Sequence, residues 1–273
     1  MKIKEVIAIL DELAPLYYAE EFDNTGLIVG DYETDISGIL VTLDSLEDVV
    51  DEAITKGCNL IVSFHPIIFS GLKKLTGQNY VEKVVIKAIK NNVAIFSLHT
   101  ALDNSWNGVN SMICNQLKLS NRRVLIPKKN TIKKLTTYVP DKDSQKLLTQ
   151  LFKAGAGTIG NYSNCSFSSN GIGSFLGNED ANPNVGSIGE LHFEKETLIN
   201  VSLPAHKKTS VLNALLKYHP YDEVAYELTT LENTNQHIGM GMIGELDVPH
   251  SETEFLTFLK IQFQNEGHPI LKL

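Results

Sequence analysis

Four polar side chains in this sequence stand where chemistry could be done: Asp44, His65, His99 and Asp103. Asp44 follows the apolar run Gly38-Ile-Leu-Val-Thr-Leu43, and His65 lies just past Asn59-Leu-Ile-Val-Ser63 and Phe64. His99 follows Val93-Ala-Ile-Phe-Ser-Leu98, and Asp103 comes four residues later in His99-Thr-Ala-Leu-Asp103. Each run reads as a short buried strand. Open parallel sheets bind ligands outside the carboxyl ends of their strands, so one sheet edge would gather these groups. Imidazole and carboxylate together suit zinc, manganese or iron. The competing reading is structural, with the histidines as hydrogen-bonded strand ends and Asp44 or Asp103 as a helix cap. Residue types and spacing leave both open.

Other patterns carry less. Gly155-Ala-Gly157-Thr-Ile-Gly160 matches the dinucleotide fingerprint letter for letter, but it follows a helix and leads into a strand. A pyrophosphate site needs the opposite order, a strand feeding a helix N-terminus. His192 with Glu196, His219 with Glu223 and His250 with Glu254 repeat the spacing of His99 with Asp103, a pattern that is cheap in an acidic chain. The first pair falls on an expected strand, where four residues span about 13 Å, too far for joint ligation. Pro220 makes a helical pairing of His219 with Glu223 unfavourable. No Gly-x-Ser-x-Gly or P-loop motif occurs.

The elements that must position the first four residues follow from periodicity. Ile3, Val6, Ile7, Leu10 and Leu13 fall at helical spacing, and Pro15 stops the helix. Leu27–Val29 is an apolar run. Ser45 with Asp48 resembles a helix start, and Val49, Val50, Ala53 and Ile54 form its stripe up to Gly57. Tyr80–Lys90 is the next helix. Strands alternating with amphipathic helices predict an α/β domain on a parallel sheet over residues 1–130. After Ile126–Asn130 the rhythm changes. Strands at Ile132–Val139 and Tyr162–Phe167 flank a helix at Asp141–Ala154, and a Gly/Ser/Asn-rich hairpin covers Ser168–Gly189. One or two strands at Glu190–Leu203, a helix at His206–Tyr218 and a strand at Glu223–Leu231 complete a ferredoxin-like α+β arrangement over residues 131–232. Residues 233–273 return to the main domain, with a helix marked by Phe255, Leu256, Phe258 and Leu259.

Composition narrows the function classes. The 273 residues are 42% apolar and 21% charged, with a formal net charge of −8. The basic residues form no long run, and Lys73-Lys74, Arg122-Arg123 and Lys207-Lys208 are isolated doublets, which argues against a nucleic-acid surface. No stretch is long and apolar enough for a secretory signal or a membrane span. Three cysteines without a Cys-x-x-Cys pair fit a reducing compartment, so a cytoplasmic location is expected.

Three segments in order, Glu21-Phe-Asp-Asn-Thr-Gly-Leu-Ile-Val-Gly30, Ser63-Phe-His-Pro-Ile-Ile-Phe69 and His99-Thr-Ala-Leu-Asp103 with Gly108-Val-Asn110, resemble the signatures of the GTP cyclohydrolase type 2 homologs. Gly155–Tyr162, Cys165-Ser-Phe167 and His219-Pro-Tyr-Asp-Glu-Val-Ala-Tyr226 resemble the PII-like or CutA-like domain inserted in the longer members. The resemblance implies a homohexameric ring, two divalent metal ions per subunit and a small-molecule or nucleotide substrate. It implies metal ligation by His65 and Asp103, with His99 as a nearby proton-transfer group. The family's Ser-His-His-Pro motif would supply two ligands, but Phe64 stands in place of the first histidine. It also implies a second α/β half carrying a late His and Glu. This sequence ends at Leu273 without that half, so the main domain is read as incomplete and its metal site as partial. Two functions follow from the resemblance, a metal-dependent hydrolase or a non-catalytic regulatory or metal-handling protein.

Overall fold

The computed structural model describes residues 1–263. Helix α1 (Ile3–Leu13) buries Ile3, Val6 and Ile7, the start of the stripe its spacing predicts. Strands β1 (Gly26–Val29) and β2 (Ile39–Thr42) follow, then α2 (Glu47–Thr55), β3 (Leu60–Ser63), α3 (Tyr80–Lys90) and β4 (Ala94–Ser97). The strands form one sheet in the order β1-β4-β3-β2. β2, β3 and β4 run parallel in matched register, Ile39 beside Leu60 and Leu60 beside Ala94. The sheet is not wholly parallel, however, because β1 pairs antiparallel with β4 at its edge. No crossover helix joins β1 to β2, so nothing obliges β1 to share the direction of the rest.

Alternation along β3 and β4 divides the core. Leu60, Val62, Ala94 and Phe96 pack with Ile3, Val6 and Ile7 of α1. Ile61 and Ile95 point the other way and pack with Val50 and Ala53 of α2 and Val84, Val85 and Ala88 of α3. Burial on both faces is why these strands read as uninterrupted apolar runs. Asn79 caps α3 by accepting from the Glu82 amide at 2.9 Å. The expected Ser45 start for α2 fails: Leu46 occupies the cap position, and the buried Ser45 hydroxyl has no hydrogen-bond partner.

One helical turn, α4 (His99–Asp103), leaves the end of β4, followed by α5 (Val109–Gln116) and β5 (Ser120–Pro127). The second unit then runs β6 (Ile132–Pro140), α6 (Ser144–Lys153), β7 (Phe167–Leu176), β8 (Leu191–Pro204), α7 (Lys208–Tyr218) and β9 (Tyr226–Thr230). Its sheet is antiparallel, in the order β7-β8-β6-β9. Leu135, Ile199, Val201 and Leu203 of the sheet pack with Leu147 and Leu151 of α6 and Val211 and Leu215 of α7. The strand expected at Tyr162–Phe167 and the hairpin expected at Ser168–Gly189 are corrected here. Phe167 begins the strand, and Ser168–Leu176 lie within it, paired to β8 from Phe167↔Asn200 to Leu176↔Leu191. Every residue of β7 is exposed or half-buried, so its sequence carries none of the alternation by which strands are recognised.

β10 (Gly239–Glu245) pairs antiparallel with β5, and α8 (Glu252–Phe263) follows. The chain separates into a unit of Met1–Lys128 with the segment from Gln236 on, and a unit of Lys129–Asn235. Residues 264–273 of the expected return segment lie outside the described residues. Among the described residues no helix is long and apolar enough to cross a membrane.

Candidate metal-handling site

Parallel register brings the ends of β2, β3 and β4 to one edge, and the residues just beyond them are Asp44, His65 and His99. The chain leaving β3 is tied to both neighbours, since the Phe64 and His65 amides donate to Thr42 and Leu43, and the His99 amide donates to Phe64. His65 Nδ1 lies 2.7 Å from Asp44 Oδ1. His99 Nδ1 lies 2.8 Å from Asp23 Oδ1, across 76 positions of sequence. A carboxylate can only accept, so in both pairs Nδ1 donates, which in a neutral ring leaves the lone pair on Nε2. The two imidazole rings stand 5.5 Å apart, edge to face.

His99 and Asp103 sit four residues apart on α4 and so share a helical face. Burial pushes the Asp103 carboxyl above the usual carboxylate range, and the Asp23 charge adds to this, while His99 and His65 oppose it. His99 has a φ of +32°, a left-handed conformation that costs energy outside glycine. The hydrogen bonds from its amide to the Phe64 carbonyl and from its ring to Asp23 hold it there.

Asp23 is the member of this cluster that strand-end reasoning misses. It sits in the turn before β1 with its side chain fully buried. Burial raises its pKa, but hydrogen bonds from His99, Thr100 and Asn24 outweigh that and hold it below the ordinary value. The Thr100 hydroxyl donates to Asp23 Oδ2, and the Thr100 amide donates to the same oxygen at 3.1 Å. The sequence signal was available only as part of the Glu21–Gly30 motif, which carries no spacing rule linking Asp23 to His99. Asp44, read as a strand end or cap, is the partner of His65.

Phe64 packs beside both histidines, the three rings making a triangle. Its ring lies edge-on to both, with centroids 4.9 Å from His65 and 5.4 Å from His99. The donor types at this edge, imidazole and carboxylate, suit a divalent ion. Histidine ligands characteristically have the second ring nitrogen held by a carboxylate, and both rings here do. A carboxyl group that burial makes hard to ionise would be relieved by a cation. Phe64 offers no donor atom where the resemblance implies a histidine ligand. Among the described residues no group of three or more His, Cys, Asp or Glu side chains is arranged to hold a metal.

The other sequence patterns are structural. Gly155, Gly157 and Gly160 all have positive φ in the turn after α6, as a tight connection requires. His192 Nε2 meets Glu194, not Glu196, at 3.0 Å. His219 ends α7 with its ring on the Tyr138 carbonyl.

Comparison with known proteins places these features in context. The sequence profile described as Duf34/NIF3 (NGG1p interacting factor 3) matches residues 1–272. A Bacillus subtilis protein named GTP cyclohydrolase 1 type 2 homolog is 38% identical over 265 residues, 97% of this chain and 71% of that one. A Halalkalibacterium halodurans protein of the same name is 37% identical over 94% of this chain and 70% of its own. Among solved structures, a Bacillus cereus protein related to NIF3 superposes with a TM-score of 0.82 at 35% identity, covering 96% of this chain and 70% of that one.

Proposed function

We propose that this chain, which belongs to the Duf34/NIF3 family, binds one divalent metal ion at the sheet edge and acts as a metal-dependent hydrolase. The observation that carries this reading is the pair of Asp–His couples, Asp44–His65 and Asp23–His99, converging on the desolvated Asp103. His65, through Nε2, and Asp103 would hold the ion. When bound, a divalent ion supplies Lewis acidity, which polarises a carbonyl or phosphoryl group and acidifies water. His99 is the proton-transfer group. Asp23 fixes its tautomer and orientation, stabilises the imidazolium it becomes on taking a proton, and leaves Nε2 to face the reaction. The name shared by the relatives points to a purine nucleotide as substrate. Asp23, Asp44 and Asp103 make the edge acidic, so an anionic nucleotide would need the ion to approach it. The second unit belongs to this reading as an inserted ferredoxin-like domain, supported by its two strand–helix–strand halves and the strand order β7-β8-β6-β9. A cytoplasmic location is consistent with free cysteines at Cys58, Cys114 and Cys165.

A second reading, a non-catalytic ring-forming regulatory or metal-handling protein, is favoured by Phe64, which puts an apolar ring without a donor atom against both imidazoles. Elemental analysis of the wild-type chain, with His65→Ala and Asp103→Asn beside it, comes first, followed by GTP turnover. Near-stoichiometric zinc, manganese or iron that falls in both folded variants, together with turnover that falls with it, supports the hydrolase. Metal without turnover selects the second reading. Unchanged metal content in folded His65→Ala would overturn the ligand assignment.

A further inference from the structure

The second unit contains a cavity of about 730 Å³, bounded by the last residues of β7, the loop beyond it, Glu196 of β8, Tyr138 of β6 and the segment leading into β9. That volume is in the range of small-molecule sites. Its wall includes Glu196, only 9% exposed. A carboxylate this buried calls for a partner of opposite charge, yet neither Lys nor Arg lines the cavity.

The carboxylate is held in place on one side only. The Tyr221 hydroxyl donates to Oε1 at 2.7 Å, and burial, reinforced by the Glu196 acceptor, pushes the phenol far up, so it stays a donor. Oε2 lies over Gly173, where an added Cβ would stand only 2.1 Å away. The missing side chain at Gly173 is therefore what gives the second oxygen its room. Tyr221 is anchored in turn. Its amide donates to His219 Nδ1 at 3.2 Å, and His219 Nε2 donates to the Tyr138 carbonyl at 3.0 Å. Phe175 meets the Tyr221 ring edge to face at 5.9 Å, giving the cavity an aromatic wall beside the carboxylate. A fixed carboxylate next to aromatic rings recognises a cation carried on an apolar stem, through charge-assisted hydrogen bonds and cation–π contact.

We propose that this cavity binds a small organic cation, a primary amine or guanidinium on a short aliphatic stem. Glu196 Oε2 accepts from its N–H donors, and Phe175 and Tyr221 flank its stem. The site shares no residue with the metal-handling edge, so either assignment can fail without the other.

Calorimetric titration of the full chain with agmatine and with putrescine tests it, with N-butylurea as a neutral control and succinate as an anionic one. Saturable binding of agmatine or putrescine, but of neither control, is expected. Glu196→Gln keeps the side-chain volume and should weaken binding about tenfold or more, whereas His65→Ala should leave it unchanged. Should Glu196→Gln not fold, Phe175→Leu decides in the same way, by weakening the same titration. Absence of saturable binding by both amines, equal binding by a folded variant at either position, or preferred binding of succinate overturns the proposal.

Discussion

The Asp23 carboxylate accepts four hydrogen bonds, from His99 Nδ1, from the Thr100 amide and hydroxyl, and from the Asn24 amide. Together they keep a fully buried acid ionised, and they fix the one residue of α4 with a left-handed backbone. Asp23→Ala would strand these donors without acceptors, which costs about 1–3 kcal/mol. The urea midpoint should fall accordingly at pH 7. The sign of the pH dependence follows from the depressed pKa. The stabilisation is complete above the ordinary value of 3.8 and is lost as pH falls through the lower folded value. The gap between wild type and variant should therefore narrow in strongly acidic buffer, and a gap independent of pH would mean that the carboxylate is not the source. Much of the site was legible at this scale. Asp44, His65 and His99 announce themselves as polar residues just past apolar runs, and Asp103 follows from the helical turn. Asp23 does not, because its partnership with His99 is made by the fold across 76 positions. Nor does residue type alone reveal that the Phe64 ring packs edge-on against both imidazoles.

Between residues and fold, legibility tracked burial. β3 and β4, with α3 between them, match the reading closely because both faces of those strands are covered and α3 has a single apolar stripe. β1 was visible as an apolar run but not in its direction, since strand direction is set by connections and not by composition. β7 was misplaced because it is solvated and owes its strand state to pairing with β8. Gly30, just past β1, shows a constraint of the same order. Its φ is +117°, and a Cβ there would stand 2.6 Å from the Ala94 Cβ. Gly30→Ala should cost about 2–4 kcal/mol from backbone strain and overpacking against β4 together. Thermal unfolding would show this as a lowered midpoint, whereas Gly57→Ala, at a positive φ but with no atom within 4 Å, should cost only the strain. Equal losses at the two positions would mean that contact with β4 contributes nothing.

At the scale of the whole molecule, each compact unit has its own buried core, so each can open without the other. His219 gives the second unit a response to pH. Burial lowers its pKa from the ordinary 6.5, against the upward pull of the Tyr138 carbonyl, Glu196 and Asp143. The folded unit thus holds a neutral imidazole, donating from Nε2 to Tyr138 and accepting at Nδ1 from the Tyr221 amide. An unfolded chain takes up a proton at a higher pH than the folded one does. His219 therefore costs nothing above about pH 6.5, and stability declines below that until the folded value is reached. Hydrogen exchange read at Leu147, Ile199 and Leu215 should report this as falling protection between pH 7.5 and 5.5. Glutamine offers one donor and one acceptor in the same place, so His219→Gln should retain the fold and flatten that pH response. A variant whose protection falls as steeply as the wild type would assign the response to another group. The comparison also bears on the cavity, because Tyr221 is held by His219. Loosening of the second unit on acidification should weaken agmatine binding before any global unfolding is seen.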